Sequence, residues 1–147
     1  MNYIFIVNDY GEYKGKEIAD VLLNDEHWLF NHASPNIKKI QPGDRALIYI
    51  AGKNNRFFYA NIKITGAIKA AEKRSSSYLD NSFYKIFPLE CPIKVLKVWE
   101  KPLYMIDIKG ELTFITDKKN YGLFLRQSNR VIEDIDYENI VKRANEH

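Results

Sequence analysis

Trp28 is followed closely by Asn31, His32 and Asn36, and then by Lys38 and Lys39. An indole offers a flat face on which a nucleobase can stack, and a side-chain amide can read the base's hydrogen-bonding edge. Ten tyrosines extend the stacking chemistry, although core packing is the commoner use of any single ring. The cations supply a second chemistry. Between residues 37 and 74 stand nine basic residues, among them Lys38, Lys39, Arg56, Lys73 and Arg74, against only two acids, Asp44 and Glu72. That stretch carries +7 in a chain of net charge +3, so the remainder carries −4. Such segregation suits a face that follows a phosphate backbone. The plainer use of the same lysines is to solubilise strand edges and loops.

Other chemistries are poorly supplied. One cysteine, Cys91, allows no internal disulfide, and three histidines, one of them the terminal His147, are too few for a zinc ligand set. Gly15-Lys16 and Gly52-Lys53 lack the earlier glycine that a phosphate-binding loop needs. Cys91, between Glu90 and Pro92, reads as a small buried apolar residue rather than a nucleophile. Glu133, Asp134 and Asp136 read as acids at the start of a helix. The chain is therefore expected to bind rather than to catalyse, with no catalytic residue, metal or cofactor assigned.

These residues must be positioned by the surrounding elements. Residues 3–7 form a continuous apolar run, as in a strand buried on both faces, and Asn8-Asp9-Tyr10-Gly11 ends it with turn chemistry. Ile18, Val21 and Leu22 give residues 16–23 a helical stripe. Residues 27–41 read as irregular, since Pro35 and Pro42 forbid a long helix. Pro42-Gly43-Asp44 launches a strand over 45–51, and residues 52–55 turn it into a second, over 57–68. In that second strand Phe58, Ala60, Ile62 and Ile64 are expected to share one face. Residues 71–82, polar and containing Ser75-Ser76-Ser77, are expected to form a mobile loop. Further strands are expected over 83–87, 93–99 and 121–126, a helical turn over 104–108, and a final helix begun by Asp134. The sum is one α+β domain over 1–147, a partial barrel of five or six mostly antiparallel strands with short flanking helices. The apolar run at the N-terminus is too short to cross a bilayer and has no basic segment before it, so a reducing, cytoplasmic setting is expected, with no membrane partner.

The order of these pieces resembles the EVE domain. The resemblance lies in the N-terminal apolar strand, the Trp with its following asparagines, and Lys-Lys-Ile-Gln-Pro-Gly-Asp-Arg-Ala-Leu-Ile-Tyr at 38–49. It continues in Leu112-Thr113-Phe114-Ile115, in the run from Tyr121 to Arg130, and in Asp136-Tyr137-Glu138-Asn139-Ile140. It implies a PUA-like partial barrel, related to ASCH and YTH domains, that recognises RNA or modified DNA and admits a single, modified base. Carried onto this chain, it implies a pocket walled by Trp28 and Tyr49, with Asn31 at the rim and Asn8 at the end of the first strand. Arg126 and Ser128 would anchor the base or an adjoining phosphate. Lys38, Lys39, Arg56, Lys73 and Arg74 would hold further phosphates. A small-molecule or free-nucleotide sensor could use the same pocket. An ASCH-type hydrolase would need a positioned Lys/Glu pair, which the sequence does not offer. No pattern in the chain assigns an oligomeric state.

Overall fold

A computed structural model describes residues 1–53, 55–74 and 78–146. In chain order the elements are β1 (Asn2–Val7), α1 (Gly15–Asn24), β2 (His27–Phe30), β3 (Arg45–Gly52), β4 (Asn55–Ile64) and β5 (Lys69–Ala70). They continue with α2 (Asn81–Ile86), β6 (Leu89–Tyr104), α3 (Met105–Ile108), β7 (Asn129–Ile132) and α4 (Asp134–Glu146). Short 3-10 turns occupy Lys109–Glu111 and Tyr121–Leu125. The serine run at 75–77 lies outside the described residues.

All six residues of β1 are buried because the strand lies between β3 and β7 in the sheet and is covered on both faces. It pairs parallel with β3 and antiparallel with β7. Its alternation sends Tyr3, Phe5 and Val7 into a core shared with α1 and β2. Ile4 and Ile6 enter a second core shared with α3 and α4. Burying each such aliphatic or aromatic side chain is worth about 1.5–3 kcal/mol, so the sheet is clamped from both sides. The parallel pairing requires a crossover, and α1 runs along it. Gly15 at the start of α1 has a packing reason: a Cβ there would lie 3.1 Å from the Val7 carbonyl oxygen. Asp9 Oδ1 accepts from the Gly15 amide at 2.7 Å, which ties the chain after β1 to the helix.

The sheet runs β2-β6-β4-β3-β1-β7, with β5 paired to β6, and curls into a PUA-like half-barrel. Register shifts in both β3–β4 and β4–β6 bend it. One of them corrects the expected face of Phe58. Tyr49 pairs with Phe58 while Ile48 pairs with Ala60, so Tyr59 is an extra residue. Phe58 consequently joins the α4-side core, whereas Ala60, Ile62 and Ile64 stay in the α1-side core. The Pro42-Gly43-Asp44 turn forms as expected. Gly43 takes φ +94°, and buried Asp44 accepts from the N-terminal amine at 2.9 Å and the Gln41 amide at 3.0 Å.

Further segments differ from the pattern read in the sequence, and β4 ends at Ile64 rather than running to 68. Residues 27–30 are a strand, not irregular chain, because they pair with the start of β6 through Trp28–Cys91 and its neighbours. Residues 81–86 are helical rather than a strand over 83–87. Asp80 caps them by accepting from the Phe83 amide at 3.0 Å, and the apolar residues suit either period. Residues 121–125 form a 3-10 turn rather than the last strand, since the position beside β1 is taken by β7. Among the described residues, no helix is long and apolar enough to cross a membrane.

Candidate functional site

The chain leaves β1 at Asn8 and approaches β7 through Ser128, and the Ile6 amide donates to the Ser128 carbonyl at 2.8 Å. Two cavities adjoin at this point. The smaller, about 240 Å³, is lined by Trp28, Phe30, Phe83 and Phe87, with Asn8, Asp9, Ser34 and Ser128 as its polar residues. The larger, about 540 Å³, is lined by Tyr49, Arg56, Lys119, Asn120, Tyr121 and Arg126, and again by Asn8. Asn8 is exposed on the ridge common to both.

The aromatic cavity has rigid walls. Trp28 is 5% exposed and stacks on Phe5 with ring centroids 5.9 Å apart. Phe83 and Phe87 lie 4.8 Å apart, and Tyr10 meets both edge-on at 5.9 Å. Phe83 in the short helix α2 and Phe87 just after it reach the site together, a turn apart as a strand over 83–87 would not place them.

The second cavity is a cationic cleft, and its charges are unspent. Of six arginines in the chain, four are committed elsewhere. Arg45 donates to Asn2 and pairs with Glu138, and Arg74 pairs with Glu90. Arg130 donates to the Phe124 carbonyl, and Arg143 pairs with Glu111. Arg56 and Arg126 have no hydrogen-bond or ion-pair partner among the described residues, and both line the cleft. Among the described residues no carboxylate lines it. Gly122 leaves room for Arg56, since a Cβ there would stand 3.1 Å from its Nη1. Burial, with Tyr121 adding to it, pushes the Tyr49 phenol up, so this hydroxyl is a neutral donor in the cleft despite the opposing pull of Arg56.

The residues singled out in the sequence are thus distributed over two cavities. Trp28 and Ser128 line the aromatic one, Tyr49, Arg56 and Arg126 the cationic one, and Asn8 both. Asn31 is not among the lining residues of either. Its Oδ1 accepts from the Ala33 amide at 2.9 Å and from the Ser34 hydroxyl at 3.3 Å, which braces Ser34 against the aromatic cavity. Lys38 and Lys39 are exposed on the turn after Asn36, and Lys73 is exposed after β5. Lys119, Asn120 and Tyr121 were not singled out, because they lie outside the basic stretch. Their signal was local: a cation, an amide and a ring in succession.

Arg74 belongs to a different construction. Glu90, 2% exposed, accepts from its Nη2 at 2.9 Å, from the Glu72 amide at 2.7 Å and from His27 Nδ1 at 3.1 Å. Burial disfavours the Glu90 carboxylate, but Arg74, the Glu72 amide and His27 outweigh it and hold its pKa below the ordinary value. An ionised Glu90 only accepts, so Nδ1 of His27 carries the proton. Nε2 then faces the Tyr84 hydroxyl at 3.5 Å. Burial pushes the His27 pKa down, with Arg74 adding to the effect, so the ring is neutral despite its two carboxylate neighbours, Glu90 and Asp25. Cys91, fully buried beside Glu90, is pushed up to about 12 by its burial, which leaves a thiol and no nucleophile. Among the described residues no cluster of His, Cys, Asp and Glu could hold a metal ion.

The EVE domain model matches residues 15–143. The chain belongs to the EVE domain family. No curated protein matches it. Solved structures similar to this EVE domain agree in fold at low identity. A protein from Pseudomonas putida is 10% identical, with a TM-score of 0.65 over 98% of this chain and 99% of its own. Human THYN1, solved in complex with DNA containing 5-methylcytosine, is 10% identical, with a TM-score of 0.64 over 99% of this chain and 98% of its own. The YTH domain of Zygosaccharomyces rouxii MRB1, solved with N6-methyladenosine RNA, is 11% identical, with a TM-score of 0.62 over 99% of this chain and 88% of its own.

Proposed function

We propose that this EVE domain binds RNA or modified DNA and holds one modified base in the aromatic cavity, while the cationic cleft takes the neighbouring phosphates. The observation that carries this reading is the placement of the two unpartnered arginines, Arg56 and Arg126, in a cleft that shares Asn8 with the aromatic cavity. Guanidiniums that no carboxylate of the cleft lining neutralises are free to take phosphate. A cavity of about 240 Å³ walled by rings suits one flat base rather than a larger ligand. Stacking there is worth roughly 1–3 kcal/mol per base. Asn8 and Ser128 would meet the base's polar edge, and Tyr49 and Lys119 would complete the phosphate side. Lys38, Lys39 and Lys73 would meet phosphates farther along the strand. Arg74 would have to leave Glu90 to join them. Neighbours of the same fold that hold 5-methylcytosine DNA and N6-methyladenosine RNA support the assignment of ligand class. The domain acts by binding, without a catalytic step of its own.

The test compares single-stranded oligonucleotides with and without one modified base, against wild type and Asn8→Ala. Asn8 is exposed, so its loss does not disturb the core, whereas Trp28 also packs on Phe5. The modified oligomer should bind more tightly than the plain one, and Asn8→Ala should erase about tenfold of that preference. Equal binding of both oligomers by the wild type would overturn the base-pocket assignment. A mononucleotide that binds as tightly as the oligomer, with little response to salt, would make the domain a free-nucleotide sensor instead.

A further inference from the structure

The cationic cleft has a neighbour that the base and its phosphates leave unused. Leu123 and Arg126 line both the cleft and a third hollow of about 510 Å³, whose other walls include Asn36, Gln127 and Arg130. Asn36 sits at φ +63°, in the left-handed region that Asn tolerates better than most residues. Its Nδ2 donates to Asn129 Oδ1 at 2.9 Å. Asn129 is 1% exposed, and among the described residues this is the one side-chain bond it makes, its own Nδ2 being buried without a partner there. Swinging Asn36 away would leave a second buried polar atom of Asn129 unsatisfied, so the bond holds the side chain at the hollow with Nδ2 turned to Asn129. Its Oδ1 has no partner among the described residues, and neither does the exposed amide of Gln127.

We infer that this hollow takes the base flanking the one in the aromatic cavity, and that Asn36 Oδ1 selects a base bearing an exocyclic amine. Adenine, cytosine and guanine offer an amine hydrogen to a fixed acceptor. Uracil and thymine place carbonyl oxygens where the others carry the amine, and can meet the acceptor only through N3–H, in a shifted pose. The free charge of Arg126, between cleft and hollow, suits the phosphate that joins the two nucleotides. The inference rests on the proposed function, and adds sequence preference to what is otherwise recognition of a single base.

The experiment measures binding of single-stranded oligonucleotides carrying N6-methyladenine or 5-methylcytosine at the centre, with each of the four bases placed in turn at either flank. At one flank, the pyrimidine with two carbonyls should bind about tenfold more weakly than adenine or cytosine. Asn36→Gly, which keeps the left-handed backbone without strain, should level the four affinities toward the weaker value. Asn36→Asp, which retains the acceptor, should preserve the ranking and so separates loss of the contact from loss of the turn. Equal affinities for all four flanks, in a protein whose binding still depends on Arg56 and on the modified base, would overturn the inference alone. Preference that survives Asn36→Gly would overturn it too. Absence of any Arg56-dependent binding would remove the proposed function, and this inference with it.

Discussion

Arg56 and Arg74 belong to the same cationic stretch, yet their guanidiniums meet opposite fates. Arg74 closes on Glu90, where the charge is neutralised and helps hold the chain after β5 against β6. Arg56 projects into a cleft with Arg126 and Lys119 and meets no carboxylate among the described residues. One region spends its charge on the fold, and the other keeps it for a ligand. A count of basic residues cannot separate these uses, because the neutralising partner of Arg74 is supplied by another strand.

The contrast can be broken first at Glu90. Glu90→Ala removes the shared acceptor of Arg74, the Glu72 amide and His27, and urea unfolding should register a large loss of stability. The loss is expected near the low end of the roughly 3–5 kcal/mol typical of breaking a buried pair, because the Arg74 side chain remains one-third exposed, at 34%. A loss below about 0.5 kcal/mol would mean that the network carries no more weight than an ordinary surface contact.

The second test exchanges the two free arginines. Arg56→Ala combined with Arg126→Ala should leave stability within about 0.5 kcal/mol of the parent, since neither side chain has a partner among the described residues. Oligonucleotide affinity, read by fluorescence anisotropy, should fall by at least about tenfold. The slope of log affinity against log salt should shrink by about 1.4 if each arginine neutralises one phosphate of a single strand. A destabilised variant with unchanged salt dependence would invert the comparison and place the structural duty on Arg56.

A smaller effect is expected from pH. The His27 pKa is lowered by burial, so below its ordinary value of 6.5 the unfolded chain takes up a proton that the folded chain refuses. Stability is therefore complete above that value and declines as pH falls below it. Glu90, also lowered, stays ionised in the fold, and its contribution is lost as pH falls below 4.5 toward its folded value. Both act in the same direction, and the groups around His27, namely Glu90, Asp25, Arg74 and Tyr84, set the balance. Unfolding measured from pH 7.5 down to 4 should reveal the decline, and Glu90→Gln should remove its more acidic part. Stability that rises on acidification would show that His27 gains its proton in the fold.

Elements whose signals were local were readable from the chain. β1 announced itself through an unbroken apolar run, the β3–β4 hairpin through Pro42-Gly43-Asp44 and the residues at its turn, and α4 through its acids and apolar stripe. β2 was hidden because its four residues become a strand only by pairing with residues far along the chain. The extra residue at Tyr59 was hidden because strict alternation runs through it unbroken in the sequence, and only the register against Ile48 and Tyr49 reveals the slip. α2 and the 121–125 turn have apolar patterns compatible with either period, so capping and the available place in the sheet decided them.

The same division applies to the site. The sequence by itself determined the supply of chemistry: rings for stacking, amides for base edges, an excess of cations, and few Cys and His. It also determined membership of the EVE family, since that pattern extends over most of the chain. Only the tertiary structure decided which cations remain free, because Arg45–Glu138, Arg74–Glu90 and Arg143–Glu111 each join residues from separate elements. It likewise brought Lys119 and Tyr121 beside Arg56, and Phe83 beside Trp28. A charge is available to a ligand only when folding has left it unpaired, and pairing is a property of positions in space.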